Sequence, residues 1–202
     1  MFHYFFYLFL GFIIGSIPFG YIVAKLWKNI DIRKFGSGNI GATNVYRVIG
    51  GGPAAVVLLL DIGKGVLPLL LVKKIETSPS PFLLILTGIF TVAGHNFSIF
   101  LKGRGGKGVA TSFGVIITLF PLPAISSFGI WLFITLITKI VSLASIVASF
   151  SLPVFVYLYT KNIPFTCFGI IVFLLILFSH RENIKRLVKG KEKKIKFPWE
   201  RK

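Results

Sequence analysis

Stretches of apolar residues long enough to cross a lipid bilayer recur along this chain, and that feature restricts its fold more than any other. A spanning helix takes about 20 apolar residues, within a range of about 17–25. Residues 2–24, 53–72, 81–100, 142–160 and 164–180 each meet that requirement. Only 14% of the 202 residues are charged and 54% are hydrophobic, whereas soluble domains carry roughly 25% charged residues. A soluble fold of this size has no room to hide so much Leu, Ile, Val and Phe. The chain therefore reads as an all-α integral membrane protein, one bundle and not two domains.

The stretch 108–138 is too long for one span and short for two. Pro121 and Pro123 stand in its middle, where proline breaks the helical ladder. Two short spans meeting at those prolines give seven transmembrane helices. A re-entrant segment there, with five true spans and a hairpin, is the alternative.

The net charge of +17 usually suggests nucleic acid, but these cations flank apolar runs instead of covering a soluble surface. With seven spans, Lys25, Lys28, Arg33, Lys34, Arg47, Lys102, Arg104, Lys107, Lys139 and the cations of the tail fall on one side. Only Lys73, Lys74 and Lys161 fall on the other. The basic side faces the cytoplasm, which puts the N-terminus outside and the C-terminus cytoplasmic, with no nucleic-acid partner. No basic segment precedes residues 2–24, and Lys25 and Lys28 follow them, as in a stop-transfer flank and not a cleaved signal. Cys167 lies in an apolar run, and a lone cysteine excludes an internal disulfide. Residues 1–186 form the membrane domain, and 187–202 a basic cytoplasmic tail that suits anionic lipid headgroups.

Four polar segments carry chemistry, all on the cytoplasmic side. In the first, DIRKFGSGNIGATNVYRVIG (31–50), Gly36, Gly38 and Gly41 stand among Ser37, Asn39, Thr43 and Asn44, with Arg47 behind. Glycines let successive N–H groups converge on an anion, and Ser, Thr, Asn and Arg add donors. The second, GHNFSIFLKGRGGKGVATS (94–112), contains GRGGKG but is not a Walker loop. Leu101 stands where the first glycine belongs and Gly108 where Ser or Thr should follow the lysine. What remains is Gly103, Gly105, Gly106 and Gly108, with Lys102, Arg104 and Lys107, opening a helix whose N-terminus favours anions. Both glycine segments read as phosphate cradles; their shared glycine-rich, Ala-Thr-containing sequence fits either a diverged repeat or glycine-rich coincidence.

The third segment carries Ser142, Ser145 and Ser149 near the start of a span, where serines also serve ordinary helix packing. In the fourth, SHREN (179–183), His180 and Asn183 can share one helix face. Asp61 and Lys64, three residues apart within a span, either belong to the site or buttress it as a self-neutralising pair. His95 and Asn96 either join the site or hydrogen-bond its support.

Taken together, GSIPFGYIVAK (15–25), GSGNIGATN (36–44), DIGKG (61–65), GHNFSIFLKGRGGKGVAT (94–111), SLASI (142–146) and SHREN (179–183) resemble one family. It is the bacterial acyl-phosphate:glycerol-3-phosphate acyltransferase, the PlsY family. The resemblance runs from about Gly15 to about Arg186 and does not extend to the tail after Lys189. It implies a seven-helix enzyme of the bacterial inner membrane. Such an enzyme transfers a fatty acyl group from acyl phosphate to glycerol 3-phosphate, giving lysophosphatidic acid and phosphate, the first step of phospholipid synthesis. By the same resemblance, Lys107, Ser145, His180 and Asn183 are catalytic, while Ser37, Arg47 and the glycines of the second segment bind substrate. No metal and no cofactor is expected.

The residues fit that chemistry independently. Acyl phosphate is a mixed anhydride with a good leaving group, so no covalent intermediate is needed. Both substrates carry phosphate, and two adjacent dianions demand several cations and N–H donors, which Arg47, Arg104, Lys107 and the glycine loops supply. His180 serves either as general base or as a positioner while a substrate phosphate takes the proton; we favour the positioner. Acyltransferases that use acyl-CoA or acyl carrier protein carry a His-x4-Asp pair. Here the residues five beyond His3, His95 and His180 are Leu8, Phe100 and Lys185. The rival reading is a membrane transporter of a small phosphate-bearing anion, which calls for polar residues at mid-membrane depth beyond Asp61 and Lys64.

Overall fold

The computed structural model describes residues 2–197, and every regular element among them is a helix. They group into two compact units, divided after Pro121.

In the first unit, α1 (Phe2–Ser16) and α2 (Phe19–Lys28) are one apolar run interrupted at Pro18. Pro18 has no N–H to give and disfavours helical geometry in the residue before it. A left-handed Asn29 (φ 54°) ends α2, its N–H bonding to the Lys25 carbonyl, a common helix stop. A short 3-10 turn (Ile32–Lys34) and α3 (Ala42–Val48) carry the first glycine segment. The long helix α4 (Gly51–Ile75) has 25 residues, about 37 Å at 1.5 Å per residue, ample for a hydrocarbon core of about 30 Å. Ser80 caps α5 (Pro81–Asn96), accepting from the Leu83 N–H at 3.1 Å, with Pro81 in the first turn where its missing donor is harmless. A second 3-10 turn (Ile99–Leu101) and the second glycine segment lead into α6 (Val109–Leu119).

The backbones of α1 and α5 touch. A Cβ on Gly15 would fall on the Thr91 carbonyl, and one on Gly94 on the Phe12 carbonyl. Close approach through small residues is how helices associate where lipid gives no hydrophobic drive.

The second unit holds α7 from Leu122 on (the helix spans Pro121–Thr138), α8 (Val141–Thr160), α9 (Ile163–Ser179) and α10 (Arg181–Val188). Buried Ala144, Ala148, Leu152 and Val156 on α8, and Phe168, Val172 and Ile176 on α9, recur every four residues, as a single helix face requires. Asn162 caps α9, its side chain accepting from the Phe165 N–H at 3.1 Å.

The exterior is apolar: Phe9, Leu59, Phe82, Phe133, Ile137 and Phe150 are all exposed. Such a surface suits lipid and not water. Five helical stretches are long and apolar enough to cross a membrane: Tyr4–Lys28, Gly51–Ile75, Pro81–Leu101, Pro121–Thr138 and Val141–Thr160. A sixth arises if α9 and α10, bent by 64° at His180, count as one. The stretch 108–138 does divide just before Pro121. Its first half, α6, has only 11 residues, about 16 Å of helix.

Candidate active site

The first glycine segment is organised by one side chain. Asn44 is 1% exposed. Its amide nitrogen donates to the carbonyls of Asn39 (2.8 Å), Phe35 (3.1 Å) and Ile32 (3.4 Å), and its oxygen accepts from the Ser37 N–H (2.8 Å). Asn44 was expected among the phosphate donors; its hydrogen-bonding capacity goes instead into closing the loop. Gly36 and Gly38 adopt left-handed backbone (φ 64° and 73°). The Asn39 side chain similarly accepts from the Gly41 N–H at 2.8 Å. Ser37 and Gly38 are exposed, and Thr43 and Arg47 are half-buried beside them. Arg33 forms a two-pronged pair with Asp31 (Nε–Oδ1 2.9 Å, Nη2–Oδ2 2.7 Å). The guanidinium holds the Asp31 carboxyl down to about 2.

The second glycine segment is built differently. The N–H groups of Gly105 and Gly106 donate to the Asn96 and His95 carbonyls at 3.1 and 3.0 Å, satisfying the last carbonyls of α5. The Gly106 N–H, expected with that of Gly108 to wrap an anion, joins the Gly105 N–H in docking the loop. The glycines are needed for proximity, since a Cβ on Gly105 would meet the His95 carbonyl and one on Gly106 the His95 ring. Arg104 is exposed, and Lys107 half-buried between Gly106 and Gly108. This segment thus presents its cations from a loop that is clamped from beneath.

Below it lies a buried polar belt. His95 Nδ1 is 3.1 Å from Thr111 Oγ1, and its Nε2 edge faces Gly106. Asp61 pairs with Lys64 at 2.8 Å, and Lys64 Nζ also donates to the Ile17 carbonyl at 2.7 Å. Ser98 Oγ donates to the Ser16 carbonyl (2.6 Å), and Ser16 Oγ to the Gly94 carbonyl (3.2 Å). The carbonyls loosened at the α1–α2 break are thereby satisfied. His95, buried beneath the loop, supports it from below.

In the second unit, His180 is 2% exposed and Asn183 4%. His180 Nδ1 lies 2.8 Å from the Ile176 carbonyl one turn back. A carbonyl only accepts, so Nδ1 carries the hydrogen and Nε2 the lone pair. Ser145 accepts from the Trp131 indole N–H (3.1 Å) and donates to the Val141 carbonyl (2.8 Å). Asn183 donates to Glu192 Oε1 at 2.6 Å, Ser142 to the same oxygen at 2.9 Å, and Arg186 Nε to Oε2 at 2.7 Å.

Glu192 and Trp131 were missed from sequence. The tail was read as a basic cytoplasmic tail suited to anionic lipid headgroups; Glu192 and an Ile195 N–H bond to the Lys139 carbonyl (2.8 Å) tie it to this unit. The signal was there: Glu192 is the single carboxylate within Lys189–Lys196. Burial works to raise its pKa, but the donors Arg186, Asn183 and Ser142 outweigh that and hold it below the usual glutamate value. The last residues of the tail, 198–202, lie outside the described residues. Ser37, Arg47, Arg104 and Lys107 thus belong to the first unit, and Ser145, His180 and Asn183 to the second. Among the described residues no group of three or more His, Cys, Asp or Glu is arranged to hold a metal.

Comparison with known proteins gives a single answer. The profile described as glycerol-3-phosphate acyltransferase matches residues 5–190. A glycerol-3-phosphate acyltransferase of Desulforamulus reducens is 42% identical over 185 residues, covering 92% of each chain. One of Prochlorococcus marinus (strain MIT 9515) is 46% identical over 189 residues, covering 92% of this chain and 94% of its own. Among solved structures, PlsY, an integral membrane glycerol 3-phosphate acyltransferase, matches in its glycerol 3-phosphate form with a TM-score of 0.89 at 40% identity. Its lysophosphatidic acid form matches with a TM-score of 0.87 at 39% identity. Each match covers 96% of both chains. This chain belongs to the glycerol-3-phosphate acyltransferase family of PlsY.

Proposed function

We propose that the protein transfers an acyl group from acyl phosphate to sn-glycerol 3-phosphate, giving lysophosphatidic acid and inorganic phosphate. The reaction takes place at the cytoplasmic face of the bacterial inner membrane. The observation that carries this reading is the likeness, over 96% of both chains, to an enzyme crystallised in glycerol 3-phosphate and lysophosphatidic acid forms. A hydroxyl oxygen of glycerol 3-phosphate attacks the acyl carbonyl carbon; the carbon–oxygen bond to phosphate breaks, and phosphate leaves with the electron pair. Arg47, Arg104 and Lys107 oppose the charge of the phosphates, and Ser37, Gly38, Asn39 and Thr43 line the first loop beside Arg47.

His180 acts as a positioner, and the hydroxyl proton goes to phosphate. Supporting this, its Nδ1–H is held by a neutral carbonyl. A carboxylate there would stabilise an imidazolium far better. Ser145 and Asn183 orient the reacting groups from the same unit.

Seven crossings, with the N-terminus outside and the C-terminus inside, remain our topology. Supporting this, α6 starts where Thr111 meets Gly65, well along α4, and ends where Lys73 Nζ donates to the Thr118 carbonyl at 3.0 Å. A helix that begins at that depth has only part of the membrane left to cross.

The test uses purified protein, acyl phosphate and glycerol 3-phosphate. Phosphate release that requires both substrates, with lysophosphatidic acid formed in equal amount, supports the reading. Glycerol 3-phosphate uptake into proteoliposomes without any such release would establish the transporter instead. Within the enzyme, His180→Asn that retains substantial turnover supports positioning, and a folded, substrate-binding but inactive His180→Asn assigns the base to histidine.

A further inference from the structure

We infer that Asp61, Lys64 and His95 are positioning residues for the second glycine loop, acting through its placement and touching no substrate. The inference rests on the acyltransferase reading, because it assigns that loop's cations to a phosphate substrate.

All three residues are 3% exposed, and Thr111 is fully buried. The contacts run in sequence from helix α4 to the loop. Lys64 Nζ bridges Asp61 Oδ1 (2.8 Å) and the Ile17 carbonyl at the α1–α2 break (2.7 Å). Asp61 Oδ1 lies 3.8 Å from His95 Nδ1, packed against the ring though beyond hydrogen-bond distance. His95 Nδ1 meets the Thr111 hydroxyl at 3.1 Å. The His95 carbonyl accepts from Gly106 at 3.0 Å, and its ring edge fills the space beside the Gly106 α-carbon. The loop is therefore gripped before Lys107 by the backbone and ring of His95, and after it by Thr111 through the same ring.

The cost of the arrangement argues for a purpose beyond holding helices together. Two charges inside a lipid-spanning helix are expensive, and apolar residues of similar volume often stabilise as well or better. This pair instead joins two irregular pieces of backbone, the broken first helix and the glycine loop. Neither can be fixed by an apolar contact alone, because each carries polar backbone groups outside regular helix that need partners.

Removing one charge strands the other, so single variants lose stability for trivial reasons. The informative variant is the double Asp61→Asn/Lys64→Met, with Thr111→Val beside it. Thermal unfolding in detergent and steady-state kinetics with each phosphate substrate are measured for both. A structural pair would leave the double variant stable and kinetically like the parent. Positioning gives a different pattern: the double variant recovers the stability that Asp61→Asn alone loses, yet KM for a phosphate substrate rises by about 10- to 100-fold. In that pattern kcat changes far less, as when ground-state and transition-state binding fall together. Thr111→Val, nearly isosteric, leaves the buried His95 Nδ1 without that partner and so lowers the unfolding temperature modestly, while the folded protein shows the same KM raised several-fold; should the double variant not fold, this variant alone decides.

Parent KM values in a folded variant overturn the inference, and so does loss confined to kcat. A failure of the acyltransferase reading looks different: the parent chain itself releases no phosphate in the presence of glycerol 3-phosphate.

Discussion

The two glycine segments are nearly alike in composition and opposite in construction. The first lies open to water and is closed on itself by one buried amide, Asn44, with Gly36 and Gly38 in left-handed backbone. The second is pressed against the end of α5, held by two main-chain bonds and by the fit of Gly106 to the His95 ring. Glycine answers two needs: freedom of φ at Gly36, Gly38, Gly103 and Gly108, and absence of a side chain where Gly105 and Gly106 press against α5. The comparison also teaches where each loop is vulnerable. A loop folded by a side chain is undone at that side chain, whereas a loop docked by backbone is undone by bulk. The second unit adds a third device, a carboxylate from the tail gathering Ser142, Asn183 and Arg186.

The largest effect is expected at Gly105. Its Cβ would enter the His95 carbonyl, with the Asn96 backbone 2.8 Å away, and neither can retreat. Gly105→Ala should cost about 3 kcal/mol or more, seen as loss of monodisperse protein on gel filtration. Full stability would break the docking account of the second loop.

Glu192→Ala should follow, at about 2–3 kcal/mol, because it removes an ionised acceptor of three bonds and leaves Asn183 and Ser142 with unmet donors. Its pH dependence sharpens the contrast. The folded-state pKa is depressed, so the stabilisation is complete above the ordinary glutamate value of 4.5 and is lost as pH falls through the folded value below it. Hydrogen exchange at residues 183–192 should rise over that acid window. The bonds from Asn44 to its loop, and from Gly105 and Gly106 to α5, involve no titrating group and should persist. Equal acid loosening of all three regions would erase the distinction.

Asn44→Ala is expected to cost about 2 kcal/mol, since the freed carbonyls of Phe35 and Asn39 lie near enough to the surface to recruit water. The damage should be confined to exchange at residues 32–41 and should leave 103–108 protected. Trp131→Phe is the smallest change. It removes the indole donor to Ser145 at the price of about 1 kcal/mol, and a thermal shift of only a few degrees should accompany an altered turnover if Ser145 depends on that bond for its orientation.

Five of the apolar runs were legible as long helices because length and hydropathy alone decide them. The Pro121 break was legible because proline acts locally. The interior of each loop was not. The GSGNIGATN run advertises donors, but only the fold shows that the Asn44 side chain makes four hydrogen bonds within the loop itself. GRGGKG likewise advertises N–H groups that the α5 carbonyls have already taken. The reason is the same in both: a sequence lists donors and acceptors without revealing which are satisfied within the chain. Asp61 and Lys64 stood out as a pair from their spacing, whereas the Ile17 carbonyl that Lys64 also holds is backbone and carries no sequence signal. Glu192 was hidden by its basic neighbours, which made the tail read as a lipid-facing strand.

The break between α1 and α2 also sets an order of events during synthesis. Ribosomes deliver the chain N-terminus first, so this broken helix reaches the membrane before its partners exist. The Ile17 carbonyl waits for Lys64, and the Ser16 carbonyl for Ser98. Until about eighty further residues have been added, as the Ser16–Ser98 separation of 82 requires, the Ser16 carbonyl lacks the Ser98 hydroxyl and the Ile17 carbonyl holds the Phe19 N–H without Lys64. The kink is therefore completed late in biogenesis. A nascent chain arrested before Ser98 should hold its first helix in a different state from the finished protein.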